Sequence, residues 1–207
     1  MRQVRMLIVV TLVWAVFTSL HITTAQEDSE VSRVQPFDHL AGPRIAVPDG
    51  PGAMRELCPE RFETCRKYWS YTANFVENYR IPAREKELLI LRTAWLSRGD
   101  YIWGRHNVMG QTAGLTAEEI RGVTVGAEDS GWTEFDAALL RAADELHESR
   151  FISEGTWRTL AQRYSEDQMV EVVLIVGNYT QLAMFQNTLG AQLPPDVEGL
   201  PESANTR

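Results

Sequence analysis

The sequence predicts an all-α protein, a single-domain helical bundle, in a chain of 207 residues. From residue 59 onward, apolar residues recur at helical spacing in one segment after another. Most of these segments begin at a residue that can cap a helix, and several stop at a glycine. No segment requires a β-strand. A strand is only the lesser alternative for the β-branched run "VEVVLIV", which lies within a longer helical pattern and lacks hairpin turns.

Residues 1–25 have the features of a secretory signal peptide. Arg2 and Arg5 precede a mostly apolar run, and the small residues "TTA" end at Ala25, before the polar "QEDSE". The apolar run holds about fifteen residues, whereas a membrane span needs about 20. We therefore expect cleavage after Ala25 and export to the periplasm or the medium. An uncleaved N-terminal anchor is the alternative, and only then would the protein contact a membrane.

Three segments follow the predicted signal peptide. Residues 26–57 are rich in Pro, Gly and charged residues, so they are predicted to form an extended arm. The helical domain is predicted at residues 58–195. Residues 196–207, which follow two prolines, are predicted to form a flexible tail.

The first three helices are predicted from apolar spacing and from the residues at their ends. The first covers about Pro59–Tyr79. The second starts at Pro82, whose missing N–H costs nothing in a first turn, and its "LLILRTAWL" is apolar nearly all round, as in a buried helix. The third is expected at Tyr101–Ala113, with Asp100 as its cap and Gly114 closing it.

The later helices have capping signals of their own. Thr116 and Glu119 form a capping box in sequence, which starts a short fourth helix. Gly190 ends the last and longest helix, "EDQMVEVVLIVGNYTQLAMFQNTL". The last three helices are predicted to follow the N-cap residues Thr133, Ser153 and Ser165.

The charge of the chain excludes one class of partner. The formal net charge is −8, and loss of Arg2 and Arg5 with the signal peptide would bring it to −8 − 2 = −10. An acidic surface repels phosphate backbones, and no basic stripe opposes that repulsion, so no nucleic acid partner is expected. The histidines are too scattered to predict a metal site.

Cys58 and Cys65 are seven residues apart. On one continuous helix their Cα atoms would be roughly 10 Å apart, which is beyond disulfide reach. Only a break near Pro59 would let them meet, so a disulfide is not expected from this geometry. The pair also lacks the Cys-x-x-Cys spacing of redox and zinc sites.

His106 is the first candidate for chemistry. Its neighbours at helical spacing include Ile102, Trp103 and Met109, so its ring points into apolar surroundings. Such a ring is either a core histidine with one hydrogen bond or a general acid or base. Glu87, at the edge of the buried second helix, is a candidate partner that would orient the imidazole, with a structural salt bridge as the alternative.

The segment "PAREKELLILRTAWLSRGDYIWGRHNVMGQTAGLTAEEI" resembles the core motif of the carboxymuconolactone decarboxylase family, which includes alkyl hydroperoxidase D. The resemblance extends over about residues 55–195 and implies that family's helical fold. The peroxidase branch of the family has a glutamate, a Cys-x-x-Cys pair around a histidine, and a distal histidine four residues later. Aligned on His106, the glutamate corresponds to Glu87, the inner histidine to Tyr101, and the cysteines to Gly99 and Ile102.

Without thiols at these positions, the branch's dithiol route lacks its nucleophile. The resemblance therefore implies a cofactor-free lyase that decarboxylates a small organic acid or lactone. In that reaction His106 would protonate the substrate carbon, and Glu87 would set the tautomer of the His106 imidazole. Tyr101 would stabilise an enolate oxygen of the substrate. A peroxide-protective protein or a non-catalytic binding protein of the same fold is the alternative, with Cys58 and Cys65 as weak substitutes for the missing thiols.

Three more residues are candidates for substrate binding. Arg92 or Arg105 would hold a carboxylate, although a structural ion pair or a surface position is the simpler interpretation of an arginine. Trp103 would form a pocket wall or a subunit contact.

The family also implies rings of identical subunits. The second and last helices are apolar nearly all round, and several tryptophans add aromatic area that a small domain cannot bury alone. We therefore expect a homo-oligomer, a trimer or a multiple of one, with Trp103 or Trp95 near an interface.

Overall fold

A computed structural model describes residues 39–45 and 57–201; at residues 74–77 it describes the backbone alone. Within this part, the protein is all-α, as predicted, and contains no strand. Its seven helices are α1 (Glu63–Asn78), α2 (Ala83–Leu96), α3 (Asp100–Thr112), α4 (Ala117–Val125), α5 (Glu134–Ser149), α6 (Glu154–Ala161) and α7 (Glu166–Leu189). None of these helices is long and apolar enough to cross a membrane. The predicted signal peptide and most of the predicted arm lie outside the described residues.

Helix α2 is the centre of the bundle. Four consecutive residues, Leu88 to Leu91, are 0 % exposed, so every side of the helix is covered. Helices α3, α5, α7 and α4 pack around it. Its all-round apolar sequence predicted this burial.

The predicted capping signals are confirmed. Thr116 and Glu119 form the capping box of α4, and Ser165 forms a second one with Gln168 at the start of α7. Thr133 and Ser153 each accept a hydrogen bond from a backbone N–H in the first turn of the helix that follows. At the other end of α7, Gly190 has a φ of 77°, the left-handed conformation that glycine adopts without strain.

The expectation that Cys58 and Cys65 stay apart is wrong. They form a disulfide, with 5.3 Å between their Cα atoms. The reason is that α1 begins at Glu63 rather than at Pro59, so Cys58 lies in the turn before the helix and not on it. The Trp69 side chain fixes this turn, since its indole N–H donates to the Cys58 carbonyl at 2.8 Å.

The start of α3 and the predicted tail also differ from expectation. Asp100 does not cap α3; it is the first helical residue, and its carboxylate accepts the Leu200 N–H at 2.8 Å. This bond holds residues 196–201 against α3, so this part of the predicted flexible tail is packed. Gly104 permits the contact, because a Cβ there would lie 2.8 Å from the Glu198 carbonyl oxygen. Residues 202–207 lie outside the described part.

Arg92 has the structural role that the sequence offered as the alternative to substrate binding. Its side chain is buried, and its Nε donates to Asp144 of α5 at 2.6 Å. Its Nη1 donates to the carbonyls of Val123 and Thr124, near the end of α4, at 2.7 and 3.1 Å. Burial raises the pKa of Asp144 above its usual value, although the hydrogen bond from Arg92 opposes that shift. The guanidinium thus joins three helices through its Nε and Nη1.

We expect Arg92→Met to lower the free energy of unfolding by about 3–5 kcal/mol, because it leaves the Asp144 carboxylate without its partner. Urea denaturation followed by circular dichroism measures the change. Arg105→Met is the matched control: Arg105 is exposed on α3, and its loss should cost less than about 0.5 kcal/mol. Equal effects of the two substitutions would contradict the structural role of Arg92.

Candidate functional site

A buried carboxylate–imidazole pair lies between α2 and α3. Glu87 Oε2 is 2.7 Å from His106 Nδ1. The Glu87 residue is 2 % exposed and His106 is 9 % exposed. The pair forms because α2 and α3 pack along each other after a short turn, which brings residues nineteen positions apart into contact.

The hydrogen bond fixes which nitrogen of the ring is available. A carboxylate in a buried position is costly unless it is paired, and Nδ1–H is the donor that pairs it. The imidazole then presents Nε2 as its reactive nitrogen, to accept or to donate a proton. No side chain or backbone group within residues 39–45 and 57–201 hydrogen-bonds Nε2. The arrangement is suited to proton transfer.

A cation that the sequence reasoning did not use lies beside the pair. Lys86 Nζ is 3.8 Å from Glu87 Oε1, the carboxylate oxygen that does not face His106. The same ammonium lies 5.8 Å from the centre of the Tyr79 ring. Lys86 is therefore the positive charge nearest to the dyad in the described part of the chain.

Tyr179 of α7 completes the surroundings of His106. Its ring meets the imidazole edge to face, with 5.0 Å between the ring centroids. Burial raises the pKa of Tyr179 far above its usual value, and the nearby Glu87 carboxylate raises it further. Tyr179 thus stays a neutral hydroxyl donor at any physiological pH. The sequence analysis did not single out Tyr179, because it lies within the largely apolar α7 and nothing local connects it to His106.

The structure does not bring Tyr101 to the pair. On a helix, five residues correspond to a rotation of roughly 140°, so Tyr101 and His106 point away from each other. Tyr101 lines instead a small cavity of about 60 Å³ with Asp100 and Gln186. The expected catalytic role of Tyr101 therefore has no support in this geometry.

Neither of the other two predicted substrate-binding residues contacts the pair. Trp103 is only 2 % exposed and packs against Trp95, with 5.9 Å between the ring centroids. It belongs to the core, so it is neither an open pocket wall nor a subunit contact. Arg105 is exposed and projects from α3 on a different side from His106.

A larger groove lies elsewhere, with a volume of about 440 Å³. It lies on α4 and the loop after it, and none of its lining residues belongs to the dyad. Its lining residues are Thr116, Glu118, Glu119, Arg121, Gly122, Val125, Asp129, Gly131 and Trp132. In the part of the chain that the structure describes, no three His, Cys, Asp or Glu side chains gather as metal ligands would.

Solved structures share this arrangement of helices. One is a candidate antioxidant defence protein AhpD, of unknown function, from Agrobacterium tumefaciens. It matches with a TM-score of 0.58 at 19 % identity, over 69 % of this chain and 96 % of that one. A peroxidase-related protein from Silicibacter matches with a TM-score of 0.60 at 10 % identity, over 77 % and 96 %. The debrominase Bmp8 bound to 2,3,4-tribromopyrrole matches with a TM-score of 0.57 at 13 % identity, over 77 % and 94 %. At these identities the similarity shows the fold alone.

A search of curated proteins finds no match. Residues 61–145 match the sequence model of the carboxymuconolactone decarboxylase family. The matched region runs from the turn before α1 into α5 and contains both Glu87 and His106, whereas Tyr179 lies beyond it. Residues 61–145 thus match the carboxymuconolactone decarboxylase family, and the chain around them has the all-α fold of alkyl hydroperoxidase D.

Proposed function

We propose that the protein is a cofactor-free lyase that decarboxylates a small organic acid or lactone by proton transfer at the Glu87–His106 pair. The observation that carries the proposal is the buried 2.7 Å contact between Glu87 Oε2 and His106 Nδ1, which leaves Nε2 as the reactive nitrogen. A thiol-dependent reaction at the family's motif positions is excluded by the residues found there, Gly99 and Ile102.

In the proposed reaction, the bond between the substrate's carboxylate and its α-carbon breaks and CO₂ leaves. The electron pair stays on the substrate as an enolate, and His106 Nε2–H protonates the carbon. Glu87 accepts the Nδ1–H throughout and stabilises the imidazolium form that donates this proton. Lys86 is the cation beside the dyad that attracts the substrate's carboxylate, and the neutral Tyr179 hydroxyl takes the donor role expected of Tyr101.

We expect His106→Gln to lower kcat by about 10²–10⁴-fold, because the proton donor is lost while a similar polar volume is kept. Glu87→Gln should lower kcat by a smaller factor, since the imidazole keeps a hydrogen-bonding neighbour without its charge. The assay is CO₂ release from a panel of small unsaturated lactone acids, with circular dichroism to verify folding.

The matched control is His147→Gln, which changes a histidine of α5 that does not contact the dyad. It should turn over each accepted substrate at the wild-type rate. Wild-type turnover in folded His106→Gln would show that another group is the acid.

A second candidate, a peroxide-reducing protein, is favoured by the disulfide between Cys58 and Cys65. A reduced pair would attack a peroxide with one thiolate, releasing an alcohol or water and leaving a sulfenic acid. The second thiol would then close the disulfide and release water. Further turnover would require an external dithiol reductant.

This candidate is tested with protein reduced by a dithiol and freed of the reductant. If it is correct, one equivalent of hydrogen peroxide or an alkyl hydroperoxide is consumed within seconds as two thiols disappear in a thiol titration. Cys58→Ser and Cys65→Ser proteins should then lose that rapid phase. Consumption no faster than that of free cysteine would exclude it and would leave the lyase, or a non-catalytic binding protein, as the function.

We also propose that copies of the chain assemble through the outer face of α7. Val170, Val173 and Met184 are 55 %, 41 % and 62 % exposed on this helix. Large apolar side chains repeated along one helix mark a surface that a partner covers. Because Trp103 is core, the expected contact through it is replaced here by this face of α7.

Light scattering at micromolar concentration is expected to give a mass of three chains or a multiple of three. Val173→Glu with Met184→Glu should reduce it toward one chain, because two charges enter the interface. Arg121→Glu, at an exposed position on α4, should not. A one-chain mass for the wild-type protein would contradict the assembly.

A further inference from the structure

We propose that Asn178 of α7, with the hydroxyls of Tyr68 and Thr72 of α1, binds a neutral polar group of the substrate beside the Glu87–His106 pair. The chemical class is a lactone, a lactam or an amide. The inference relies on the proposed function for what happens at the dyad, but the binding itself does not.

Helices α1 and α7 lie antiparallel, and their contacts define the register. The Tyr68 ring stacks on Phe185, with 6.3 Å between centroids and 16° between planes. Beyond the other end of α1, the backbone N–H groups of Arg80 and Ile81 donate to the Glu171 carboxylate. Asn178 is seven residues before Phe185 and so lies on the same face of α7. This register places it at the level of the middle of α1, after Thr72.

Asn178 is a buried amide without partners. It is 5 % exposed, and neither Oδ1 nor Nδ2 makes a hydrogen bond in the described part of the chain. The buried hydroxyls of Tyr68 and Thr72, one turn apart on α1, lie close enough to interact with each other, but neither has another hydrogen-bond partner in the described part of the chain. Each such group lowers the stability of the fold, and natural proteins retain few of them. Several together indicate a place where a polar ligand binds.

The cluster borders the dyad through Tyr179. This residue follows Asn178, and its ring contacts the His106 imidazole. The Tyr68 hydroxyl is close enough to Tyr179 to contribute to the raised pKa of that residue. A substrate held by Asn178 would thus extend past Tyr179 toward His106.

The chemistry of the cluster selects the ligand. A carboxamide offers one acceptor and two donors, and the two hydroxyls offer both roles. None of the three carries a charge, so an anionic group would lose its hydration there without a compensating cation. A neutral group with a carbonyl oxygen and an N–H or O–H fits best. The carboxylate of the same substrate would lie at Lys86, the cation of the dyad.

The test uses 2-pyrrolidone, a neutral lactam whose adjacent C=O and N–H can pair with the Asn178 amide. It is titrated into the full ¹⁵N-labelled chain, and amide shifts in α1 and α7 are followed by NMR. Wild-type protein should bind with millimolar affinity, and Asn178→Leu, which keeps the volume, should bind at least tenfold more weakly. Tyr68→Phe, which removes a single hydroxyl, should weaken binding three- to tenfold and serves if Asn178→Leu does not fold.

Two controls separate this inference from the proposed function. Gln186→Leu removes a similarly buried amide two turns further along α7 and should not change the affinity. His106→Gln should bind 2-pyrrolidone like the wild type even where it abolishes turnover. Unchanged affinity in folded Asn178→Leu, or wild-type shifts confined to other helices, would overturn the inference. Loss of CO₂ release in His106→Gln would support the lyase in either case.

Discussion

The structure depends on the burial of charged residues on its central helix. Helix α2 is covered on all sides, yet Glu85, Glu87 and Arg92 of this helix are all buried. An unpaired charge in such a place would cost several kcal/mol, so each must be paired by another helix. Arg92 is paired by α5 and the end of α4, and Glu87 is paired by α3. Glu85 is paired by the turn after α6, where the Tyr164 hydroxyl donates to Glu85 Oε2 at 2.5 Å. These pairings fix how the bundle packs around α2.

The same constraint distinguishes the structural charges from the functional one. Arg92 directs its Nε and Nη1 to protein acceptors, and the Glu85 carboxylate receives Tyr164 and Arg163, one on each oxygen. The pairing of Glu87 differs, because its partner is a ring with a second nitrogen that the described protein does not engage. The dyad satisfies the buried charge and still keeps one position for a proton. Burial alone therefore does not point to a candidate site; the ring nitrogen that Glu87 leaves without a partner does.

Local sequence was sufficient for the helices and their caps, because a cap such as Thr116 acts within one turn. The Glu87–His106 pair came from motif spacing, since two helices joined by a short turn leave little freedom. The sequence left open whether Arg92 binds substrate or forms an ion pair, because its partner Asp144 is 52 residues away and no local pattern connects them. Asn178 was missed for the same reason: on α7 it reads as one polar residue in an apolar run. The sequence alone does not predict which side chains of α1 and α7 face each other.

Packing also explains why the thiols of the peroxidase branch would not simply fit back into this chain. Gly99 is buried, and a Cβ there would lie 3.3 Å from both the Ala183 Cβ and the Ile102 Cδ1, which is tighter than ordinary contact. Ile102, at the second motif position, is 1 % exposed and belongs to the core. A cysteine pair here would have to displace α7 at Ala183 and leave a gap where the isoleucine was. Glu87 and His106 occupy their motif positions without thiols beside them, so the chemistry that we propose for them is proton transfer.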